Sequence, residues 1–167
     1  MRIYKMICVI IALLMLGGCG KIDSEVLSYA ERPFCADVQG QMYGLDFSAA
    51  VQVSARNEDG GRNIRIQFVS PESLRGIVVT NDGKESRVDL DGVSLKDSAA
   101  EGWMLAAQLL IPQGQVVSIK SAEQDPHTAV VLLDSKQTII IDVNTGAPLE
   151  AAIDGTYVKV TRFESEE

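Results

Sequence analysis

The sequence has little of the residues on which most catalytic and metal sites depend. It contains one histidine, three cysteines and one tryptophan, and aromatic side chains make up 5% of its 167 residues. Zinc sites are built mainly from several Cys and His ligands, and the chain contains no nucleophile-elbow, phosphate-loop or dinucleotide-binding motif. We therefore expect no cofactor, no metal centre and no enzyme activity.

Acidic side chains, which can act as general acids and bases, are more numerous than His and Cys, with 23 Asp and Glu residues in the chain. Asp89 and Asp91 flank Leu90, and Glu58 and Asp59 lie together in a turn-rich stretch. Paired carboxylates serve glycoside hydrolysis, but such clefts usually offer aromatic platforms, which this chain has few of. Surface acids on an acidic domain explain both pairs. Hydrolase activity remains as an alternative, which for an exported protein would mean an envelope hydrolase.

The amino terminus has the pattern of an export signal. Arg2 and Lys5 precede an unbroken apolar run over 6–16, which has the length of a signal-peptide core. A helix needs about 20 apolar residues to span a bilayer, so this run is too short. We therefore predict a signal peptide over 1–18.

A cysteine follows that signal directly. The stretch Leu16-Gly17-Gly18-Cys19 resembles the lipobox of bacterial lipoproteins. The resemblance implies diacylglyceryl transfer to the Cys19 sulfur, cleavage before Cys19, and anchoring by acyl chains such as palmitate, with 19–23 as a lipidated tether. The protein is then expected at the cell membrane with its domain on the extracytoplasmic side. The alternative is an ordinary signal peptide with an incidental cysteine.

The negative net charge of the chain limits the kinds of partner that it can bind. Removal of 1–18 takes away Arg2 and Lys5 and no acid, so the formal net charge changes from −8 to −10. Such a charge disfavours nucleic acid, whose binding depends on neutralising phosphates, and it disfavours flat docking on an anionic bilayer. We expect no nucleic-acid partner, and contact with the membrane through the Cys19 anchor.

One cysteine remains uncommitted in the processed chain. Cys8 lies in the signal and Cys19 is expected to be a thioether, which leaves Cys35 and no intramolecular disulfide. The favoured interpretation of Cys35 is a small buried apolar side chain. The alternative is a reactive or intermolecularly bonded thiol, although no His or basic cluster lies beside it in the sequence to lower its pKa.

Alternating apolar and polar residues predict a mostly antiparallel β protein. A short helix within 20–33 is followed by a hairpin of 49–56 with 64–68, a break at Pro71, and a second hairpin over 76–90. A short strand follows Asp91-Gly92. The second block of strands is predicted at 115–123, 127–133, 137–143, 149–153 and 156–163. We expect one domain over 24–163 and an acidic tail over 164–167.

One segment between the two blocks differs from the rest. In "SAAEGWMLAAQLLIP" the residues from Trp103 to Ile111 are almost all apolar, and Pro112 ends the run. A helix without a polar face is usually buried. The predicted fold class is therefore α+β: an incomplete antiparallel β-barrel, or strongly curved sheet, that wraps an apolar helix.

This order of elements resembles the superfamily of LolA, LolB and RseB. Two stretches carry the resemblance, "IRIQFVSPESLRGIVVTNDGKESRVDL" and "TIIIDVNTGAPLEAAIDGTYVKVTRF". It implies an incomplete barrel covered by helices, with an apolar cavity that receives acyl chains in the carriers. In RseB-like members the surface serves protein signalling, and GerS-like anchored relatives act as non-catalytic partners of wall-modifying enzymes.

The resemblance leaves two binding hypotheses open. In the first, a lipid or acyl chain occupies a hydrophobic cavity, and its candidate lining is Val51, Val53, Ile64, Ile66, Phe68, Trp103, Leu105 and Leu109. In the second, these residues fill the core, and the domain is a regulatory partner or scaffold that docks an envelope protein, such as a cell-wall or sporulation–germination enzyme. Periodicity cannot separate the two, because both require the same inward-facing side chains.

Overall fold

The structure, a computed structural model, describes residues 26–96, 99–122 and 125–165. The predicted signal peptide, the tether and Cys19 lie outside these residues. No helix within these ranges has the length and apolar character needed to cross a membrane.

The described chain forms one curved, unclosed antiparallel sheet with a single α-helix. Short 3-10 turns cover Ser28–Glu31 and Glu72–Leu74, and the helix α1 covers Ala99–Gln108. The eleven strands are β1 Phe34–Met42, β2 Leu45–Arg56, β3 Arg62–Ser70, β4 Val78–Asn81, β5 Ser86–Leu90, β6 Val93–Lys96, β7 Val116–Ser121, β8 Thr128–Leu133, β9 Thr138–Asp142, β10 Pro148–Ile153 and β11 Thr156–Ser165.

The sheet is a meander whose first and last strands pair in the middle. The order is β6-β5-β4-β3-β2-β1-β11-β10-β9-β8-β7. In the β1–β11 pair, Phe34 lies opposite Ser165 and Gly40 opposite Val158. The edge strands are β6 and β7, and α1 connects them. The β1–β11 pair therefore joins a six-strand half, β1–β6, to a five-strand half, β7–β11; we call this pair the seam.

Most of the predicted strands are present, and the first predicted hairpin is formed by β2 and β3. Val51 pairs with Ile66 and Val53 with Ile64. The Asn57 N–H donates to the Gly61 carbonyl at 2.8 Å, and Gly60 has φ +79°, a backbone conformation that glycine adopts at little cost. Turn chemistry and alternation together explain why this hairpin can be predicted locally.

Three features of the sequence interpretation need correction. Strand β1 was not among the predicted strands. Cys35, expected to be buried, is exposed, because the alternation in β1 turns Phe34 and Ala36 into the core and Cys35 away from it. Strand β11 continues to Ser165, so the first two residues of the predicted acidic tail belong to the sheet.

The helix lies against the six-strand half of the sheet and contacts β2, β3, β4 and β5. Met104, Ala106 and Ala107 are buried, whereas Glu101 and Gln108 are exposed. The helix ends at Gln108, and the apolar run continues past it as buried Leu109 and Leu110.

A buried side-chain amide ends the helix. The Gln137 Nε2 donates to the Leu109 carbonyl at 2.7 Å, and the Gln137 Oε1 accepts from the Gln113 N–H, also at 2.7 Å. In a continued helix the Gln113 N–H would bond the Leu109 carbonyl directly. Gln137 therefore takes the place of one helical hydrogen bond and satisfies both of its partners. The Tyr29 hydroxyl donates to the next carbonyl, that of Leu110, at 2.7 Å.

Candidate functional site

The eight residues predicted to line a cavity come together in one hydrophobic cluster between α1 and the sheet. Four of them, Val51, Ile66, Phe68 and Leu109, are at most 1% exposed, and Val53 is 3% exposed. The other three, Ile64, Trp103 and Leu105, are half-buried and pack against this cluster.

Aromatic contacts tie the helix to the sheet within this cluster. The rings of Phe68 and Trp103 meet edge to face, with centroids 5.3 Å apart and planes at 78°, and Phe68 meets Phe47 in the same manner at 5.8 Å. Such pairs are a favoured geometry for buried aromatic rings. The interior at Phe68 is thus occupied by packed side chains.

A large groove lies on the opposite face of the sheet. Its volume is about 920 Å³. We call this groove the outer groove. Its central lining, the central row, consists of residues that pair across neighbouring strands and alternate with buried positions. The row consists of Glu164, Cys35, Gln52, Arg65, Thr80 and Arg87. Only Val53 and Ile64 of the predicted cavity residues are also in contact with this groove.

Most carboxylates around the outer groove already have cationic or backbone partners. The Glu85 carboxylate lies 2.7 Å from the Lys96 Nζ and 3.5 Å from an Arg87 nitrogen. Lys96 first, and Arg87 second, lower the pKa of Glu85. The Glu164 carboxylate lies 2.6 Å from Arg162. The carboxylates of Glu85 and Glu164 are therefore already compensated by neighbouring cations. Together with Asp82 we call them the rim of the outer groove.

Asp82, also on the rim, is held by its own turn. Its carboxylate accepts from the backbone N–H groups of Lys84 and Glu85, each at 2.9 Å, and these bonds lower its pKa. An ionised carboxylate that accepts backbone hydrogen bonds has little demand for a further partner. The turn between β4 and β5 is thereby braced where it borders the groove.

Arg65 differs from its neighbours. It is half-buried, lies in register between Gln52 and Thr80, and has no ion pair within the part of the chain that the structure describes. Its guanidinium is a fork of donors suited to carboxylate or phosphate. The register of three strands creates this combination, and no local motif in the sequence announces it.

A second arginine, Arg62, is buried at the start of β3, with 8% of its surface exposed. One guanidinium nitrogen donates to the Arg32 carbonyl at 3.5 Å, while Nε and Nη2 are buried without a hydrogen-bond partner. Burial lowers the pKa of Arg62, nearby Arg56 adds to this, and Glu31 opposes it. Arg62 does not line the outer groove.

Among the residues that the structure describes, no group of three or more His, Cys, Asp or Glu side chains is arranged to hold a metal ion. His127 lies in the turn before β8 and is exposed. The groove offers hydrogen-bond donors and one uncompensated cation, an arrangement suited to binding.

Comparisons with known proteins identify the fold. No protein-family model matches the sequence, and no curated protein matches it. An uncharacterized conserved protein from Thermus thermophilus is similar, with a TM-score of 0.53 and 18% identity over 86% of this chain and 84% of that chain. MucB is similar with a TM-score of 0.52 and 13% identity over 89% of this chain and 60% of MucB. A LolA superfamily protein from Nitrosomonas europaea gives 0.41 and 10% over 87% and 94%.

At these identities the likeness concerns the fold. The structure has a LolA/RseB-like fold, and the resemblance predicted from the sequence is confirmed at that level. The large curved, unclosed antiparallel sheet with one helix is the architecture that the sequence predicts.

Proposed function

We propose that this chain is a non-catalytic envelope lipoprotein, anchored through Cys19 on the extracytoplasmic side, whose domain docks a protein partner. The observation that supports the proposal is the close packing of the predicted cavity residues, five of which are at most 3% exposed and belong to the hydrophobic core. A ligand site needs a few hundred cubic ångströms of free space, roughly 300 Å³ or more. The outer groove has such a volume, about 920 Å³, and lies on the other face of the sheet.

Binding of a lipid or acyl chain in the interior is the second candidate. It is favoured by the half-buried state of Ile64, Trp103 and Leu105, which leaves apolar surface accessible at the border of the cluster. An acyl chain that entered there would have to displace or separate these side chains.

Anchoring is tested by the substitution Cys19→Ser. Two or more acyl chains hold a protein durably at a membrane, so the wild-type protein should enter the detergent phase in a phase-separation assay and the variant should leave it. Cys35→Ser is the matched control and should partition like the wild type. Equal partitioning of the Cys19→Ser variant and the wild type would contradict the anchor.

Fluorescence of Trp103, the single tryptophan of the sequence, can distinguish partner docking from lipid binding in the interior. Trp103 packs on Phe68 at the border of the interior, so its fluorescence reports what enters there. We expect no saturable change in emission when oleate or phosphatidylglycerol is added to the full chain in detergent, and no additional lipid in its native mass spectrum. A saturable shift with a stoichiometric bound lipid would favour the second candidate over partner docking.

A further inference from the structure

The outer groove has the length of a short extended peptide. Its central row runs from Glu164 on β11 to Arg87 on β5 and so crosses six adjacent strands. Neighbouring strands lie about 4.8 Å apart, so the row spans roughly 24 Å, and an extended peptide of about seven residues covers that distance. A lone small anion would leave most of the 920 Å³ unfilled.

The charges of the outer groove determine which charge a ligand group at its centre should carry. Glu85 and Glu164 are paired with cations, and Asp82 is bonded to backbone N–H groups. Arg65, between them, has no ion pair among the described residues. The central position therefore attracts one negative group.

The same pairing disfavours a polyanion. A nucleic acid, or a bilayer rich in anionic headgroups, would bring several negative charges to a groove in which Arg65 is the one lining cation without an ion pair among the described residues, since Arg87 is already paired with Glu85. A single carboxylate flanked by neutral residues meets Arg65 without approaching Glu85 or Glu164. Gln52 and Thr80, which pair with Arg65 on either side, add an amide and a hydroxyl for the peptide backbone.

We propose that the outer groove binds an extended segment of the protein partner and that an Asp or Glu of this segment places its carboxylate on Arg65. The inference rests on the proposed docking function and specifies the site and the chemistry of the partner. Arg65 acts as the charged anchor, because an arginine accepts a carboxylate through two parallel hydrogen bonds.

The test selects ligands from a displayed library of random heptapeptides. The protein is the full chain with Cys8→Ser and Cys19→Ser, held in detergent, so that Cys35 is the single thiol. We expect enriched peptides to share an Asp or Glu at one fixed position. A labelled peptide from this set should bind Arg65→Ala about tenfold more weakly or worse, since hydrogen bonds to charged groups are the strong ones.

Matched variants separate the anchor from a general charge effect. Lys120→Ala removes one positive charge from an exposed position on edge strand β7 and should leave the affinity unchanged. Arg65→Lys should recover part of the affinity, because the charge returns without the fork. Replacing the peptide's acid with its amide should weaken binding to the wild type and have little effect on binding to Arg65→Ala.

Cys35 supplies an independent readout of where the peptide sits. It lies in the central row, two strands from Arg65, so a bound peptide should slow its reaction with a thiol reagent. Absence of an acidic preference, equal affinity for Arg65→Ala, or a Cys35 reaction rate that the peptide does not change would each overturn the proposed site. Partner docking through another surface would survive these results, whereas a saturable lipid signal at Trp103 would count against docking itself.

Discussion

The seam between β1 and β11 should make Gly40→Ala strongly destabilising. Gly40 is buried in β1 and lies opposite Val158. An added Cβ would clash with the Tyr157 carbonyl oxygen and lie 3.0 Å from the Val158 Cα and 3.1 Å from the Tyr157 carbonyl carbon. All three atoms belong to the backbone of β11, so no side-chain rotation relieves the overlap.

The expected magnitude is the difference between two opposing effects. Replacing glycine with alanine restricts the unfolded chain and favours folding by about 0.4–1 kcal/mol. Overpacking against a backbone that cannot rotate away costs about 1–3 kcal/mol or more. We expect Gly40→Ala to lower the free energy of unfolding by about 2 kcal/mol, since the clash involves the central strand pair.

Gly102→Ala in α1 is the matched control because the chemical change is identical. Its Cβ would meet the Tyr43 hydroxyl at 3.2 Å, and Tyr43 is 75% exposed and able to turn aside. Alanine in place of glycine in a helix should raise the free energy of unfolding by about 0.8–1 kcal/mol. Urea titration followed by far-UV circular dichroism measures both. A Gly40→Ala variant as stable as the wild type would refute the close approach of β1 and β11.

Three further substitutions test the buried polar groups. Gln137→Met should lower the free energy of unfolding by about 2–4 kcal/mol, because the Gln113 N–H and the Leu109 carbonyl lose their partner; an unchanged thermal midpoint would contradict the role of the amide. Burial raises the pKa of Tyr29, so the stability due to this group is complete below about pH 10 and is lost as the pH rises further. Stability measured from pH 9 to 12 should fall less steeply in Tyr29→Phe than in the wild type, and equal slopes would argue against this linkage. Arg62→Met should raise the free energy of unfolding by about 1–3 kcal/mol, since two buried guanidinium nitrogens have no partner; a loss of stability would show that Arg62 is compensated in solution.

The hairpins were predictable because their information is local. In β2 and β3 the alternating residues and the glycine-containing turn lie within some 20 positions of one another, and the pairing of Val51 with Ile66 follows from them. The break at Pro71 and the 3-10 turn Glu72–Leu74 follow from proline geometry in the same way.

Strand β1 was missed although its signal is present. Phe34, Ala36, Val38 and Met42 alternate with polar or small residues, and the alternation is interrupted only by Gly40. A cysteine and a glycine within a strand obscure the pattern when each residue is judged alone. Once β1 is recognised, the exposure of Cys35 follows from the period of two.

The pairing of β1 with β11 in the seam could not be predicted from local sequence patterns. The Thr161 hydroxyl donates to the Asp37 carbonyl at 3.0 Å across 124 positions of sequence. No turn connects such partners, so the pairing depends on which strand edges remain free after the hairpins have formed. The predicted fold class could therefore specify an incomplete barrel without specifying that the first and last strands meet at its centre.

The predicted cavity and the outer groove illustrate the same limit. Periodicity assigned Val51, Ile66 and Phe68 to the inward face, where the structure places them. The outer groove depends on the register of six strands, which brings Arg65 between Gln52 and Thr80. Alternation indicates that these side chains face outward, and only the register shows that they adjoin.

The central position of β11 also bears on how the protein is made. Until this strand emerges, β1 and β10 each lack the neighbour with which they pair in the finished sheet. Free strand edges invite pairing with other chains, and contacts between distant parts of a chain form slowly. Protection by chaperones should therefore matter until β11 has been delivered, and ribosome-stalled chains that stop before Thr156 should aggregate far more readily than chains that include all of β11.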